Sequence, residues 1–275
     1  MPFTSLLIAN RGEIAIRIAR AAANLGLRPV VVFSQDDALS LHVRKADAAE
    51  ALPGSGPAAY LSVEAILAAA ERTGCDAIHP GYGFLSENAS FARRVADAGL
   101  TFVGPAPAHL ALFGDKSAAR TLAERCGVPV AAGTRAPTSL AEARAFVRAH
   151  GASMVKAAAG GGGRGMRIVQ DETALGPVFE RCASEATAAF GNGDLYLERL
   201  VRPARHVEVQ VIGDGSGRVT HLWERECTLQ RRHQKLIEVA PSPSLSPILR
   251  GRVIGAALRM AEAVRYASLG TFEFL

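Results

Sequence analysis

The sequence predicts an α/β protein that begins with a doubly wound parallel sheet and continues as an α+β region with antiparallel strands. Three observations carry this. Short apolar runs alternate with helix-period segments through the first hundred residues, as repeated strand–helix–strand units do. Gly104-Pro105-Ala106-Pro107 then breaks the rhythm and marks a boundary. Beyond residue 150 apolar residues alternate with period two between glycine turns, which is the pattern of hairpins.

Leu6–Ala9 and Pro29–Phe33 are short enough and apolar enough for buried parallel strands. Between them Ile14, Ile18, Ala22 and Leu25 recur at helical spacing, with Arg17, Arg20 and Asn24 opposite and Gly26 as the stop. Ser62 starts a second helix that ends near Gly74, and a strand follows at Asp76–His79. Asn88 starts a third helix, and Thr101–Val103 is the next strand. After the boundary, helices are expected at 115–126 and 139–150, the second opened by a capping box from Ser139 to Glu142. Met154–Lys156 and Met166–Val169 flank a glycine run as the arms of a hairpin would. In His206–Ile212, Val207, Val209 and Val211 share one face and His206, Glu208 and Gln210 the other. A glycine-rich turn at 213–217 leads into a strand over Val219–Glu224, and Ser246-Pro247 caps a helix expected to run to about Tyr266. Gly270–Leu275 alternates like a strand and stops there, which reads as a truncated chain.

With 275 residues and 49% of them hydrophobic, the chain can build one large domain or two, and disordered or collagen-like classes are excluded. No apolar run reaches the roughly 18–20 residues of a membrane span and the N-terminus has no secretory apolar segment, so a soluble cytoplasmic protein is expected. Cys75, Cys126, Cys182 and Cys227 form no metal-binding pattern and read as free thiols of a reducing compartment. A net charge of +5 suits anionic ligands but gives no argument for nucleic acid. Of the 31 basic residues only Lys45, Lys116, Lys156 and Lys235 are lysines, which singles those four out as positions where a compact ammonium is needed.

Four segments carry chemistry. Lys156 to Met166 holds four consecutive glycines behind a strand lysine, so backbone N–H groups can surround phosphate oxygens. It is neither a Walker A loop nor a dinucleotide fingerprint, and its bland alternative is a flexible linker. Glu224 to Lys235 packs carboxylates and basic groups into twelve residues; alone it is ambiguous, readable also as a solvated charged loop or a nucleic-acid patch, the latter weakened by the lack of interleaved aromatics. His79–Asn88 and Asn10-Arg11-Gly12-Glu13 each follow a parallel strand, where ligands bind in such sheets, or serve only as turns and caps. Asn10-Arg11-Gly12 in place of G-x-G-x-x-G argues against a nicotinamide oxidoreductase.

Together these segments resemble the biotin carboxylase family, the ATP-grasp component of biotin-dependent carboxylases. Ile8–Ala15, His79–Asn88, Gly114-Asp115-Lys116, Gly160–Met166, Arg205–Gln210, Gln230–Lys235 and Gly270–Leu275 match in order and spacing, from about residue 5 to the last. The resemblance implies an N-terminal Rossmann-like domain over 1–112, then an incomplete ATP-grasp domain over 113–275 with a mobile lid at roughly 131–203. It implies that ATP with Mg²⁺ (Mn²⁺ as a substitute) phosphorylates bicarbonate to carboxyphosphate, and that biotin on a carrier protein or domain is then carboxylated. The complete enzyme would be an acetyl-CoA, propionyl-CoA or pyruvate carboxylase with a separate carboxyltransferase component, homo-oligomeric, binding neither nucleic acid nor membrane.

Carried over by position, Lys116 and Lys156 would neutralise ATP phosphates, and Gly162 and Gly163 would cover them. Glu198 with the backbone of Arg199, Leu200 and Val201 would read adenine. His206, Gln230 and His233 would touch ribose and phosphates, with His233 also catalytic. Lys235 would bind bicarbonate, and Glu273 would be a catalytic and metal-binding carboxylate. Cys227 is a candidate for alkylation near the bicarbonate site. Two departures stand out: Ala158-Ala159 replaces the usual Ser-Gly, and the family's second metal carboxylate and biotin-site Arg find no counterpart after Glu273. The resemblance therefore implies little biotin-dependent turnover by these residues alone. A non-catalytic nucleotide-binding module and a carbamoyl-phosphate synthase-like ligase are the alternatives.

Overall fold

A computed structural model describes residues 3–158, 165–231 and 234–275, without the Phe190 side chain. The chain divides into two compact units: residues up to Ala111 with Ala267–Leu269, and Leu112–Tyr266 with Gly270–Leu275.

The first unit is built on β1 (Ser5–Ile8), β2 (Arg28–Phe33), β3 (Ala48–Ala51), β4 (Ala77–His79) and β5 (Thr101–Phe102), all parallel in the order β3-β2-β1-β4-β5. Side-chain alternation makes both faces apolar. Leu7, Val30, Val32 and Ile78 face one side with Tyr60, Ile66, Phe91 and Val95. Leu6, Ile8, Val31 and Ala77 face the other with Ala15, Ile18, Ala19 and Ala22. Helix α1 (Gly12–Asn24) therefore covers the second face, while α2 (Val63–Thr73) and α3 (Ala89–Asp97) cover the first. Caps set the boundaries: Ser62 and Asn88 accept from backbone N–H groups at the starts of α2 and α3, and Gly74 closes α2 in the left-handed conformation.

Two readings of the sequence need correction here. The inward stripe of α1 is Ala15, Ile18, Ala19 and Ala22, and Leu25 is 59% exposed, because the helix ends at Asn24 and Leu25 lies beyond its last turn. β3 went unread because its sequence Ala-Ala-Glu-Ala is a half-exposed edge with no β-branched residue.

In the second unit, α4 (Pro107–Gly114), across whose last turns the division falls, leads to α5 (Lys116–Arg125), which Asp115 caps through two backbone N–H groups. Helix α6 (Leu140–His150) opens with the expected Ser139–Glu142 capping box. An antiparallel sheet follows from β6 (Ser153–Ala157), β7 (Met166–Val169) and β8 (Leu195–Arg199), in the order β7-β6-β8, with α7 (Leu175–Phe190) against it. A second sheet has the order β11-β10-β9-β12, from β9 (Val207–Asp214), β10 (Val219–Arg231), β11 (Gln234–Val239) and β12 (Ala267–Phe274). Helix α8 (Pro247–Ala263) packs Ile254, Ala257 and Ala261 on Val209 and Val211. It stops short of Tyr266 because Arg265 takes φ +51. β10 extends to Arg231, seven residues past the expected end, because its charged residues are paired by neighbouring strands. β8 and β11 lacked a legible period, and α7 went unread although Leu175, Val178, Phe179, Cys182, Ala183 and Ala186 recur at helical spacing.

Candidate active site

In the first unit the carboxyl ends of β1 and β4 meet where the strand order reverses, the usual place for a crevice. A cavity of about 520 Å³ opens there, lined by Asn10, Arg11, Glu13, Asp37 and Tyr82 among others. The buried Asn10 amide donates to the carbonyls of Pro80 (2.7 Å) and Tyr82 (2.8 Å), joining the two strand-end segments. Gly81 takes φ +67, and a Cβ there would lie 2.6 Å from that amide nitrogen, so only glycine fits. Arg11 pairs with Asp37 at 3.0 Å, and the Tyr82 hydroxyl donates to Glu13. The two N-terminal motifs thus form one constellation.

Two charge clusters of the second unit contain residues expected to form the site. In the first, alternation along β6 buries Ser153, Val155 and Ala157 and turns Lys156 to the opposite face. Its ammonium pairs with Glu198 of β8, which also meets Arg120 of α5 at 3.4 Å. Arg120 donates in addition to the Ala131 carbonyl at 2.7 Å. Of the expected adenine-reading backbone, the Arg199 and Leu200 amides donate to Ala132 (2.8 Å) and Ala152 (3.0 Å), so both are already occupied. Val201 lies just past β8 and is exposed. Lys116 occupies the first turn of α5. Gly162 and Gly163 lie outside the described residues, as does His233.

The second cluster lies on the four-stranded sheet. Glu208 of β9 is only 2% exposed although it lies on the face opposite the valines. One of its oxygens takes the Lys235 ammonium from β11, and the other is held by Arg225 of β10 at 2.7 Å. Lys235 also donates to Glu273 of β12 at 2.7 Å. His206, just before β9, accepts at Nδ1 from the Gln230 amide at 2.7 Å, which leaves its proton on Nε2. That buried Nε2 lies 3.4 Å from Glu273 Oε1 outside hydrogen-bond geometry and has no partner among the described residues.

The electrostatics follow from these contacts. His206 and Lys235 together hold the Glu273 carboxyl down to about 2 against the opposing effect of burial. Burial alone would lower the Lys235 ammonium, but Glu208 and Glu273 outweigh it and raise it. Burial would raise Glu208, and Lys235 and Arg225 outweigh that as well. The resulting array is a fixed ammonium between two ionised carboxylates, with the His206 imidazole facing one of them. Such an array can hold a small anion at the ammonium and a cation at the carboxylates.

The structure thus brings Lys235, Glu273, His206 and Gln230 together in one cluster, and Lys156 with Glu198 in another. Arg120 and Arg225 escaped the sequence reading, since one arginine among 27 carries no mark. No local pattern pointed to Arg225, whose place opposite Glu208 is set by strand register. Cys227 is fully buried, and burial pushes its thiol up to about 11, which argues against ready alkylation.

Comparison with known proteins places these features. The biotin carboxylase N-terminal domain model matches residues 2–110, and the model for the carbamoyl-phosphate synthase L chain ATP-binding domain matches 115–275. The chain is 53% identical to a pyruvate carboxylase of Bacillus subtilis over 98% of its own length, and 48% identical to human mitochondrial pyruvate carboxylase over all of it. In each case it spans 24% of the relative. Among solved structures, the biotin carboxylase domain of Hydrogenobacter thermophilus 2-oxoglutarate carboxylase, in complex with MgADP, ADP and bicarbonate, superposes with a TM-score of 0.96 at 41% identity, covering all of this chain and 61% of that one. The Campylobacter jejuni biotin carboxylase in complex with a β,γ-ATP ligand gives 0.96 at 44% identity, covering 99% of this chain and 62% of that one. With parallel-sheet unit, ATP-grasp unit and both charge clusters on one chain, this protein belongs to the biotin carboxylase family.

Proposed function

We propose that the chain supplies the ATP-binding and bicarbonate-activating part of a biotin-dependent carboxylase. The observation that carries this is the Lys235 ammonium fixed between Glu208 and Glu273, with His206 Nε2 3.4 Å from the Glu273 carboxylate. In this reading Lys116 and Lys156 neutralise the nucleotide phosphates, with Gly162 and Gly163 covering them. Glu198 and the stretch Arg199, Leu200 and Val201 form the adenine hinge, with Val201 the best-placed backbone donor. His206, Gln230 and His233 hold ribose and phosphates, and Lys235 binds bicarbonate. A bicarbonate oxygen then attacks the γ-phosphorus and ADP leaves. The carboxyl group of the resulting carboxyphosphate passes to the ureido nitrogen of biotin on a carrier protein or domain, its bond to the phosphate oxygen breaks, and inorganic phosphate leaves, taking up the ureido proton.

For a divalent cation the residue that fits is Glu273. His206, Glu208 and Glu273 place their ligand atoms within 4.8 Å of one another, but both Glu208 oxygens are held by Arg225 and Lys235 and His206 Nδ1 by Gln230. That leaves Glu273 to present the hard oxygen that Mg²⁺ prefers. When bound, Mg²⁺ would offset charge on the transferring phosphoryl group. Lys235 would orient bicarbonate, and the His206 Nε2–H would face the anion. A carboxyltransferase component and a homo-oligomeric full-length enzyme complete the reading. The free cysteines suit a reducing compartment.

Calorimetric titration with ADP, with and without Mg²⁺, and ADP release from ATP with bicarbonate and biotin omitted in turn, test this. Mg²⁺-dependent nucleotide binding, and ADP release that depends on bicarbonate, are expected. A folded chain that binds no nucleotide overturns the proposal. The match of 115–275 to the carbamoyl-phosphate synthase domain favours one second reading. ADP release stimulated by ammonia and not by biotin would select it.

A further inference from the structure

We propose that Arg225 is a positioning residue that sets Lys235 and Glu273 relative to each other through two separate arms of its guanidinium. This rests on the reading of Lys235 and Glu273 given above.

The first arm acts on Lys235. Arg225 stands directly opposite Glu208 across the β10–β9 pairing. Its Nε and Nη2 both approach Oε1 of Glu208, at 2.7 and 2.6 Å, which leaves Oε2 to Lys235. Each oxygen of a buried carboxylate thus has its own cation. Without the guanidinium, one oxygen of this carboxylate would face no cation, and the ammonium would be drawn across both oxygens and away from Glu273. The pull would be strong because the Glu208 carboxylate is buried.

The second arm acts on Glu273. Nη1 of Arg225 donates to Oε1 of Gln210 at 3.1 Å, and this fixes the polarity of the amide. Its nitrogen must then point the other way, and it donates to the Gly270 carbonyl at 2.8 Å. Gly270 lies on β12 three residues before Glu273. The strand is closely seated there, since a Cβ on Gly270 would fall 2.6 Å from the Tyr266 hydroxyl. The guanidinium therefore reaches Glu273 through Gln210 and the backbone of β12.

A lysine at 225 could serve one of these arms but not both, because it lacks the planar fork. That gives the test its internal contrast. With only four lysines in the chain, ¹⁵N-lysine labelling resolves the Lys235 ammonium by nuclear magnetic resonance, with Lys45 as reference. Amide hydrogen exchange of Gly270–Phe274 reads the second arm, with the β6–β7 hairpin as reference.

In Arg225→Met the Lys235 resonance is expected to shift and β12 exchange to rise roughly fivefold, as the loss of one hydrogen bond predicts. In Arg225→Lys the resonance should return to its wild-type position while β12 exchange stays raised. Gln210→Ala should raise β12 exchange and leave Lys235 unmoved. An unchanged Lys235 signal in Arg225→Met, recovery of both signals in Arg225→Lys, or an equal rise of exchange in the β6–β7 hairpin would overturn the proposal. If Arg225→Met does not fold, the other two variants decide. Failure of the wild-type chain to bind Mg-ADP would overturn the nucleotide reading and leave the two-arm result standing.

Discussion

The parallel-sheet unit and the second unit fill their interiors in different ways. In the first, β1, β2 and β4 carry apolar residues to both faces, and none of the buried polar residues described there is a carboxylate. In the second, Glu208, Glu224 and Glu226 are all buried in the four-stranded sheet, each with a basic partner: Lys235 and Arg225, Arg250, and Arg205. A buried ion pair contributes little net stability, because desolvation offsets most of the attraction. Apolar side chains of similar volume would hold the sheet as well. The second unit therefore trades stability for charges fixed in place, while the first resembles a scaffold.

The largest expected effect tests the scaffold. Phe91 is fully buried and meets Phe102 edge-on with ring centroids 5.8 Å apart. Phe91→Ala should destabilise the first unit by about 4 kcal/mol in denaturant titration. A loss below about 1 kcal/mol would show that the apolar core is not what holds it.

Next comes the charged interior. Arg250 donates to the fully buried Glu224 at 2.7 Å, and Ser242 N adds a bond of 3.1 Å. Arg250→Met leaves that carboxylate without its cation and should cost about 3 kcal/mol in the second unit. Adding Glu224→Gln should recover part of the loss. If the double variant is no better than the single one, the burden is packing and not charge.

Acid sharpens the contrast further. In the first unit, burial lowers the imidazole of His79 to about 4 and also lowers that of His42. The unfolded chain then binds protons from about pH 6.5 downward that the folded unit refuses, so stability falls as pH drops from 6.5 toward 4. Asp37 and Asp76, both at about 2, extend the loss to lower pH. In the second unit the Ser244 hydroxyl, with Ser242 and Arg205, holds Glu226 at about 2. Its contribution is complete above the usual carboxylate range and is lost only between about pH 4.5 and 2. Amide exchange in β1 and β9, corrected for the intrinsic effect of pH, should show β1 weakening first. Simultaneous weakening would remove the distinction.

The smallest effect should be equal in both units. Ser62 caps α2 and Ser139 caps α6 by the same bond to a backbone N–H. Alanine at either should cost about 1 kcal/mol, read from the denaturation midpoint. Unequal losses would mean that the caps answer to their surroundings.

The same division explains what could be read in advance. The first unit was legible almost strand by strand, because a doubly covered parallel sheet writes itself as apolar runs, and Ser62, Asn88 and Gly74 punctuate its helices. β3 was the exception, being a half-exposed edge without a pattern. In the second unit the hairpin arms around Lys156 and the valine face of β9 were legible, but β11 is exposed along its whole length and gave no period. The charged run from Glu224 to Lys235 was ambiguous for the same reason. Its residues look like those of a solvated loop until β9 and β12 are set beside them.

Local pattern alone sets the alternation of strands and helices, the caps, the hairpin arms and the identity of the chemically distinctive lysines. These are short-range properties, written in periods of 2 and 3.6 and in the choice of residue at turns. The burial of Glu208, the reach of Lys235 to both Glu208 and Glu273, and the hold of Arg225 on Glu208 and Gln210 at once come from the packing of distant strands. Those contacts join residues 15 to 38 positions apart. Strand register sets them, and no local pattern in the sequence encodes which carboxylate an arginine will face.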